Sequence, residues 1–114
     1  MADIVMLKRN DLQPYIYAKA ILHTNTAIDL TGATIVFSMR NLDTSSLTLS
    51  RVSAGVTLTA STSGEFQYQW QAGNTATTGT YVAEFEITPA TGGKFTLPVN
   101  RDLRVIIVAD EDST

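Results

Sequence analysis

The stretch from 64 to 88, GEFQYQWQAGNTATTGTYVAEFEIT, constrains this chain more than any other. It holds two runs of strict alternation on either side of a short polar crossing. In the first, Phe66, Tyr68 and Trp70 share one face, and Glu65, Gln67 and Gln69 share the other. In the second, Tyr81, Ala83, Phe85 and Ile87 alternate with Val82, Glu84, Glu86 and Thr88. Side chains of a strand point to opposite faces in turn, so the pattern is that of two half-buried strands. The polar crossing, 71–78, has room for one short helical turn, and Gly73 argues against more.

The rest of the chain follows the same period. Residues 3–8 (DIVMLK) form an apolar run and a first strand. Pro14 opens the next run, where a missing amide costs little. There Tyr15, Tyr17, Lys19 and Ile21 share one face, while Ile16, Ala18, Ala20 and Leu22 share a wholly apolar face that should point inward. Residues 28–33 read as a strand-edge segment ending in a bend, with Asp29 and Gly32 supplying the turn chemistry. In 34–40, Ile35, Phe37 and Met39 share a face. Leu47, Leu49 and Arg51 alternate in a weaker pattern, and Val56 and Leu58 are expected inward after a turn at Gly55.

The composition of 89–93 (PATGG) is that of a hairpin turn, and Phe95 and Leu97 return on one face. A polar corner at 100–102 precedes the last strand, 103–108 (LRVIIV). Its second face, with Ile106 and Val108, is largely apolar too, which implies a central or covered strand. No segment shows helical periodicity over ten or more residues. About seven to nine short strands separated by turn signals predict an all-β, antiparallel sandwich. Length predicts a single domain, 1–109, followed by a polar tail, 110–114.

Charge and composition exclude several classes of function. The net charge is −3, and the eight Lys and Arg residues form no dense patch, so a phosphate backbone is not the expected partner. No apolar run approaches the ~20 residues that span a bilayer as a helix. The first residues, MADIVMLKRND, lack the organisation of a signal peptide, so synthesis in the cytoplasm is expected. There is no cysteine, which removes disulfides and thiolate metal sites.

Two local patterns carry a family resemblance. The segment Thr77-Thr78-Gly79-Thr80-Tyr81-Val82-Ala83 resembles the tyrosine corner of immunoglobulin-like domains. There a glycine two residues before a Tyr lets the chain turn into a late strand, and the Tyr hydroxyl satisfies a nearby backbone group. Thr77 stands where an acidic residue is usual, and Ala83 where immunoglobulins place their second Cys. The departure removes the disulfide and leaves the sandwich. More widely, IDLTGATIVFSMR (28–40), the 64–88 stretch and GGKFTLP (92–98) resemble the N-terminal immunoglobulin-like domain of phage baseplate upper proteins. The resemblance spans about 15–108. It implies an immunoglobulin-like sandwich that serves as a virion structural part in the tail or baseplate. It also implies other virion proteins as partners and a homo-oligomeric state within a symmetric particle.

No residue set converges on catalysis. His23, the only histidine, lies in a turn signal without a nucleophile in view and reads as a surface residue. Asp110, Glu111 and Asp112 lack the spaced glycine and distal Glu of a calcium loop and read as a solvated tail. The tail and the first eight residues are also candidates for ordering on a neighbouring subunit. Glu84 and Glu86 share a strand face, as paired glycosidase carboxylates do, but nothing nearby separates an acid from a base. A solvated face opposite Lys or Arg is the simpler reading.

Tyr15 and Tyr17 share their face with Lys19, so they are the candidate contact residues, in a protein interface or on a sugar. Gly79 and Tyr81 are the candidate structural corner. The expectation is thus a non-enzymatic protein without cofactor or metal that acts in a virion. The alternatives are a capsid decoration or neck protein, and a carbohydrate-binding module in host adhesion.

Overall fold

Period-two alternation becomes strands in the computed structural model, which describes residues 3–21, 26–97 and 103–109. Leu22, His23, the 100–102 corner and the 110–114 tail lie outside the described residues. The strands are β1 (Asp3–Lys8), β2 (Ile16–Lys19), β3 (Thr34–Asn41), β4 (Leu47–Val52), β5 (Val56–Ala60), β6 (Glu65–Tyr68), β7 (Gly79–Thr88), β8 (Phe95–Leu97) and β9 (Leu103–Val108). They build two sheets. The larger runs β1-β9-β7-β3-β4, with β8 also on β7, and the smaller runs β2-β6-β5. The chain changes sheet four times: between β1 and β2, between β2 and β3, between β4 and β5, and between β6 and β7. This is an all-β, immunoglobulin-like β-sandwich.

The longest strand, β7, is the spine of the larger sheet. It pairs with β3 from Thr34↔Thr88 to Asn41↔Tyr81. Its other side is shared: Gly79 to Ala83 pair with β9, and Phe85 to Ile87 with β8. One pairing departs from the expected antiparallel pattern. Strand β1 runs parallel to β9, in unbroken register from Asp3↔Leu103 to Lys8↔Val108. A parallel neighbour needs no hairpin, and β1 and β9 come from opposite ends of the chain.

The seam between the sheets is aromatic. Phe37 of β3 stacks on Tyr68 of β6, ring centroids 4.2 Å apart, and meets the edge of Trp70 at 5.9 Å. Phe85 of β7 touches Phe37 at 5.0 Å and meets Phe66 of β6 edge-on at 4.9 Å. Offset and edge-to-face contacts suit the ring quadrupoles, so each pair adds about 0.5–1.5 kcal/mol beyond area burial. Ile35, Met39, Ile87, Leu103, Val105 and Ile107 complete the buried layer, each on the face expected of it.

Several local expectations change. Leu58 lies opposite Phe66 and so faces the right side, yet it is 37% exposed because β5 is the last strand of its sheet. Residues 28–33 form no strand. The amides of Ile28 and Leu30 bond instead to the carbonyls of Ala20 and Ser61, and Asp29 Oδ1 accepts from the Thr31 amide and hydroxyl. The 71–78 crossing holds hydrogen-bonded turns rather than a helical turn. One turn of 3-10 helix sits at Ser61–Ser63 and ends on Gly64, in the left-handed region at φ 72°. A Cβ at Gly64 would collide with the carbonyl oxygens of Ala20 and Ile28.

Candidate interaction surfaces

Gly79 and Tyr81 meet at the start of β7. Gly79 has φ 152°, and a Cβ there would sit 3.2 Å from Asn41 Nδ2 and 3.6 Å from the Tyr81 ring. The Tyr81 ring is buried, and its hydroxyl donates to the Thr77 carbonyl at 2.7 Å. The bond ties the outgoing strand to the crossing that precedes it. A second polar clasp closes the same crossing. Tyr68 Oη donates to Asn74 Oδ1 at 2.6 Å, and Asn74 Oδ1 also accepts from the Gln71 amide. Burial pushes the Tyr68 phenol up from 10.0 to about 12. Buried Thr75 donates through Oγ1 to the Asp11 carbonyl, and Trp70 Nε1 donates to the Pro14 carbonyl. These bonds hold 10–14 against the crossing; they are scaffold rather than site.

Tyr15 and Tyr17 stand together on the outer face of the smaller sheet, ring centroids 6.4 Å apart and tilted by 54°. Tyr17 is 70% exposed, and Tyr15 is half-buried. Gln67 lies opposite Tyr17, and Glu65 opposite Lys19. The face therefore offers one prominent ring above amide and charged groups.

Glu84 is exposed, and Glu86 is half-buried between two cations. Arg51 bonds Glu86 Oε1, and Lys94 Nζ lies 3.6 Å from Oε2. The hydrogen bond from Arg51 holds the Glu86 carboxyl below the usual carboxylate range. A depression of about 120 Å³ lies beside them, lined in part by Arg40, Leu47, Val82 and Glu84. That is well under the ~300 Å³ at which small-molecule pockets begin. Among the described residues, no three His, Asp or Glu side chains converge as metal ligands do.

The remaining surface is the outer side of β1. Ile4 is 59% exposed and Met6 57%. Met6 is paired with Ile106, and Lys8 with Val108, so an apolar stripe runs over the two strands. The Arg9 amide donates to the Val108 carbonyl. Backbone groups alternate sides along a strand, so odd-numbered residues of β1 bond β9 and the even-numbered Ile4 and Met6 face away from it. Among the described residues no strand pairs with that edge, and at its far end the Lys8 carbonyl accepts from the Asp11 amide.

Every other sheet margin is blunted. Strand β2 has four residues and follows Pro14; β8 has three. Strand β5 carries a register shift between Leu58 and Ala60. Strand β4 carries two, and Arg51 within it has φ 53°. Short length, proline, bulges and charge are the means by which sandwiches protect their edges. Strand β1 has six residues, unbroken register and apolar side chains on its solvent face.

The sequence reading recognised β1 as a strand and did not single out Ile4 or Met6. The signal was present in DIVMLK, a continuous apolar run without Pro or Gly, bounded by one acidic and one basic residue. Comparison with protein-family models, with curated proteins and with solved structures yields no match.

Proposed function

We propose that this chain is a non-enzymatic interaction module, a structural component of a phage tail or baseplate that binds neighbouring virion proteins. One observation carries the interaction reading: a sandwich that blunts its other margins leaves β1 open, regular and apolar. A long, flat, hydrophobic edge is a pairing template, and a protein that keeps one uses it or aggregates through it. The assignment to a virion rests on the sequence resemblance of 28–40, 64–88 and 92–98 to the baseplate upper protein domain. Mass spectrometry of purified particles tests it. The chain is expected in tailed particles and in isolated tails. Its retention on tail-less heads would favour a decoration or neck protein, and its absence from particles would overturn the virion reading.

Tyr17 favours a second reading, a carbohydrate-binding module in adhesion. An exposed ring beside outward Gln67 offers a stacking face with hydrogen-bonding amides. Glycan-array binding that is lost in Tyr17→Ala supports it, and a blank array counts against it.

A further inference from the structure

We propose that β1 is an exchangeable strand: it leaves its own β9 and takes the same place on β9 of a second copy of this chain, pivoting between Arg9 and Asn10. This goes beyond the interaction reading above. It concerns the bond between β1 and β9, not what lies on the outer side of β1, and it does not depend on where the protein resides.

The hold on β1 is thin. Among the described residues, β1 pairs with β9 alone. Of residues 4–8, Leu7 alone is buried; Val5 is half-buried, and Ile4, Met6 and Lys8 are exposed. Strand β9 is held differently. It places Leu103, Val105 and Ile107 in the core and pairs with β7 on its other side. Parting β1 from β9 therefore breaks no strand pairing but its own and leaves both sheets standing. It also bares a row of β9 amides and carbonyls flanked by apolar side chains, which is a template for another strand. The strand that fits that template is already known, because β1 lies on it in six-residue register with Leu7 buried. A second copy carries the same strand, so the occupant is chosen by a fit the fold itself displays.

The connection after β1 supplies the pivot. The Asp11 amide donates to the Lys8 carbonyl at 3.0 Å and closes a tight turn. Within that turn Asn10 has φ 72°, the left-handed region that residues other than glycine rarely occupy. On one side of the pivot, the Arg9 amide is bonded to the Val108 carbonyl of β9 and parts from it with β1. On the other side the chain is fastened to the body. The Asn10 amide donates to the Thr75 carbonyl, Thr75 Oγ1 to the Asp11 carbonyl and Trp70 Nε1 to the Pro14 carbonyl. A short hinge under strain favours exchange, because opening it relieves the turn. The ladder and the Leu7 contacts are the same in both forms and cancel. Relief at two hinges then stands against the entropy of joining two molecules. The exchanged fraction rises with concentration, and passage between the forms is slow because six paired residues must part first.

The absence of cysteine makes a direct test available. Met6 and Ile106 are register partners on the outer face, away from the core. Neighbouring strands lie ~4.8 Å apart, within the range a disulfide spans. Met6→Cys and Ile106→Cys are made as two separate full-length proteins. They are mixed at high concentration, held just below the melting midpoint, cooled and mildly oxidised. Exchange sets the two thiols in register across chains, so a disulfide-linked heterodimer should form. Tyr17→Cys mixed with Ile106→Cys should give about tenfold less, because only collision brings those thiols together. Asn10→Val in both partners disfavours the left-handed turn; it should remain folded by circular dichroism and, below saturation, raise the yield about threefold. The double variant Met6→Cys/Ile106→Cys, oxidised when dilute, closes within one chain. It should sediment as a monomer under conditions in which the unmodified chain shows a dimer. Three results overturn the proposal: a heterodimer no more abundant than the Tyr17→Cys control, a yield unmoved by Asn10→Val, or a locked double variant that dimerises as readily as the unmodified chain. The last would place the contact on an edge that leaves β1 where it is. Particle mass spectrometry addresses location alone, so the two readings are tested apart.

Discussion

Removing the Tyr81 hydroxyl tests the corner that turns the chain into β7. In Tyr81→Phe the ring stays in its buried place, and only the 2.7 Å bond to the Thr77 carbonyl is lost. Two magnitudes compete. A buried acceptor left without a donor costs ~1–3 kcal/mol, whereas a bond whose acceptor can return to water costs ~0.5–1.5 kcal/mol. Thr77 is exposed, so the smaller figure applies, and about 1 kcal/mol is expected. For a chain of this length that lowers the melting temperature by roughly 4–6 °C. Calorimetry or denaturant titration gives the loss, and amide exchange gives its location. Protection should fall around 77–80, where the bond ties crossing to strand, and hold at β3. An unchanged midpoint, or an even loss of protection across both sheets, would refute the corner as a local clamp.

Three other outcomes follow from the core and its charges. Phe37→Ala removes a ring that contacts Tyr68, Trp70 and Phe85, so it should cost ~3–5 kcal/mol and leave little folded protein; a milder loss would deny that the seam depends on this ring. Burial raises the Tyr68 phenol to about 12, so its neutral form stabilises the fold fully below about 10 and that contribution is lost as pH rises through about 12. Absorbance titration should show a late-ionising tyrosine that is missing in Tyr68→Phe. The Glu86 carboxyl is depressed by Arg51 and Lys94, so its contribution is present above the ordinary carboxylate range and fades as pH falls through the lowered value. Glu86→Gln should lower stability slightly in the neutral region and converge with the parent protein at the acid end, which flattens the acid limb; an identical acid limb would remove the ion pairs from the account.

Much of the sandwich was legible because its strands have one wet face and one dry face. Phe66, Tyr68 and Trp70, or Tyr81, Ala83, Phe85 and Ile87, announce their burial through alternation alone. What the sequence concealed depends on neighbours rather than on pattern. Leu58 faces inward and is still exposed, because no described strand flanks β5 on its far side. Leu30 is buried in a segment that forms no ladder, held by one amide bond to Ser61. Thr75 sits in a run as polar as any turn, yet it is buried and spent on the Asp11 carbonyl. The parallel union of β1 and β9 joins residues about a hundred positions apart, and no local signal encodes such a partner. Of the contact residues read from the sequence, Tyr17 is prominent and Tyr15 is half-covered. The open edge becomes visible only once every other edge is seen to be blunted.

That parallel union also explains why the exposed edge is β1. Strand β9 is apolar on both faces, with Leu103, Val105 and Ile107 inward and Ile106 and Val108 outward. Left as the margin of the sheet, it would present an unprotected row of amides and carbonyls flanked by apolar side chains on both sides. Strand β1 satisfies those groups with six residues in register. In doing so it transfers the problem outward by one strand, onto Ile4 and Met6. A strand added only to protect β9 would be expected to carry Lys, Glu or Pro at those two positions, because each is solvent-facing and free to be polar without loss to the core. The choice of Ile and Met there, beside the exposed Lys8 that the same strand does carry, is what sets a docking edge apart from a merely protective one.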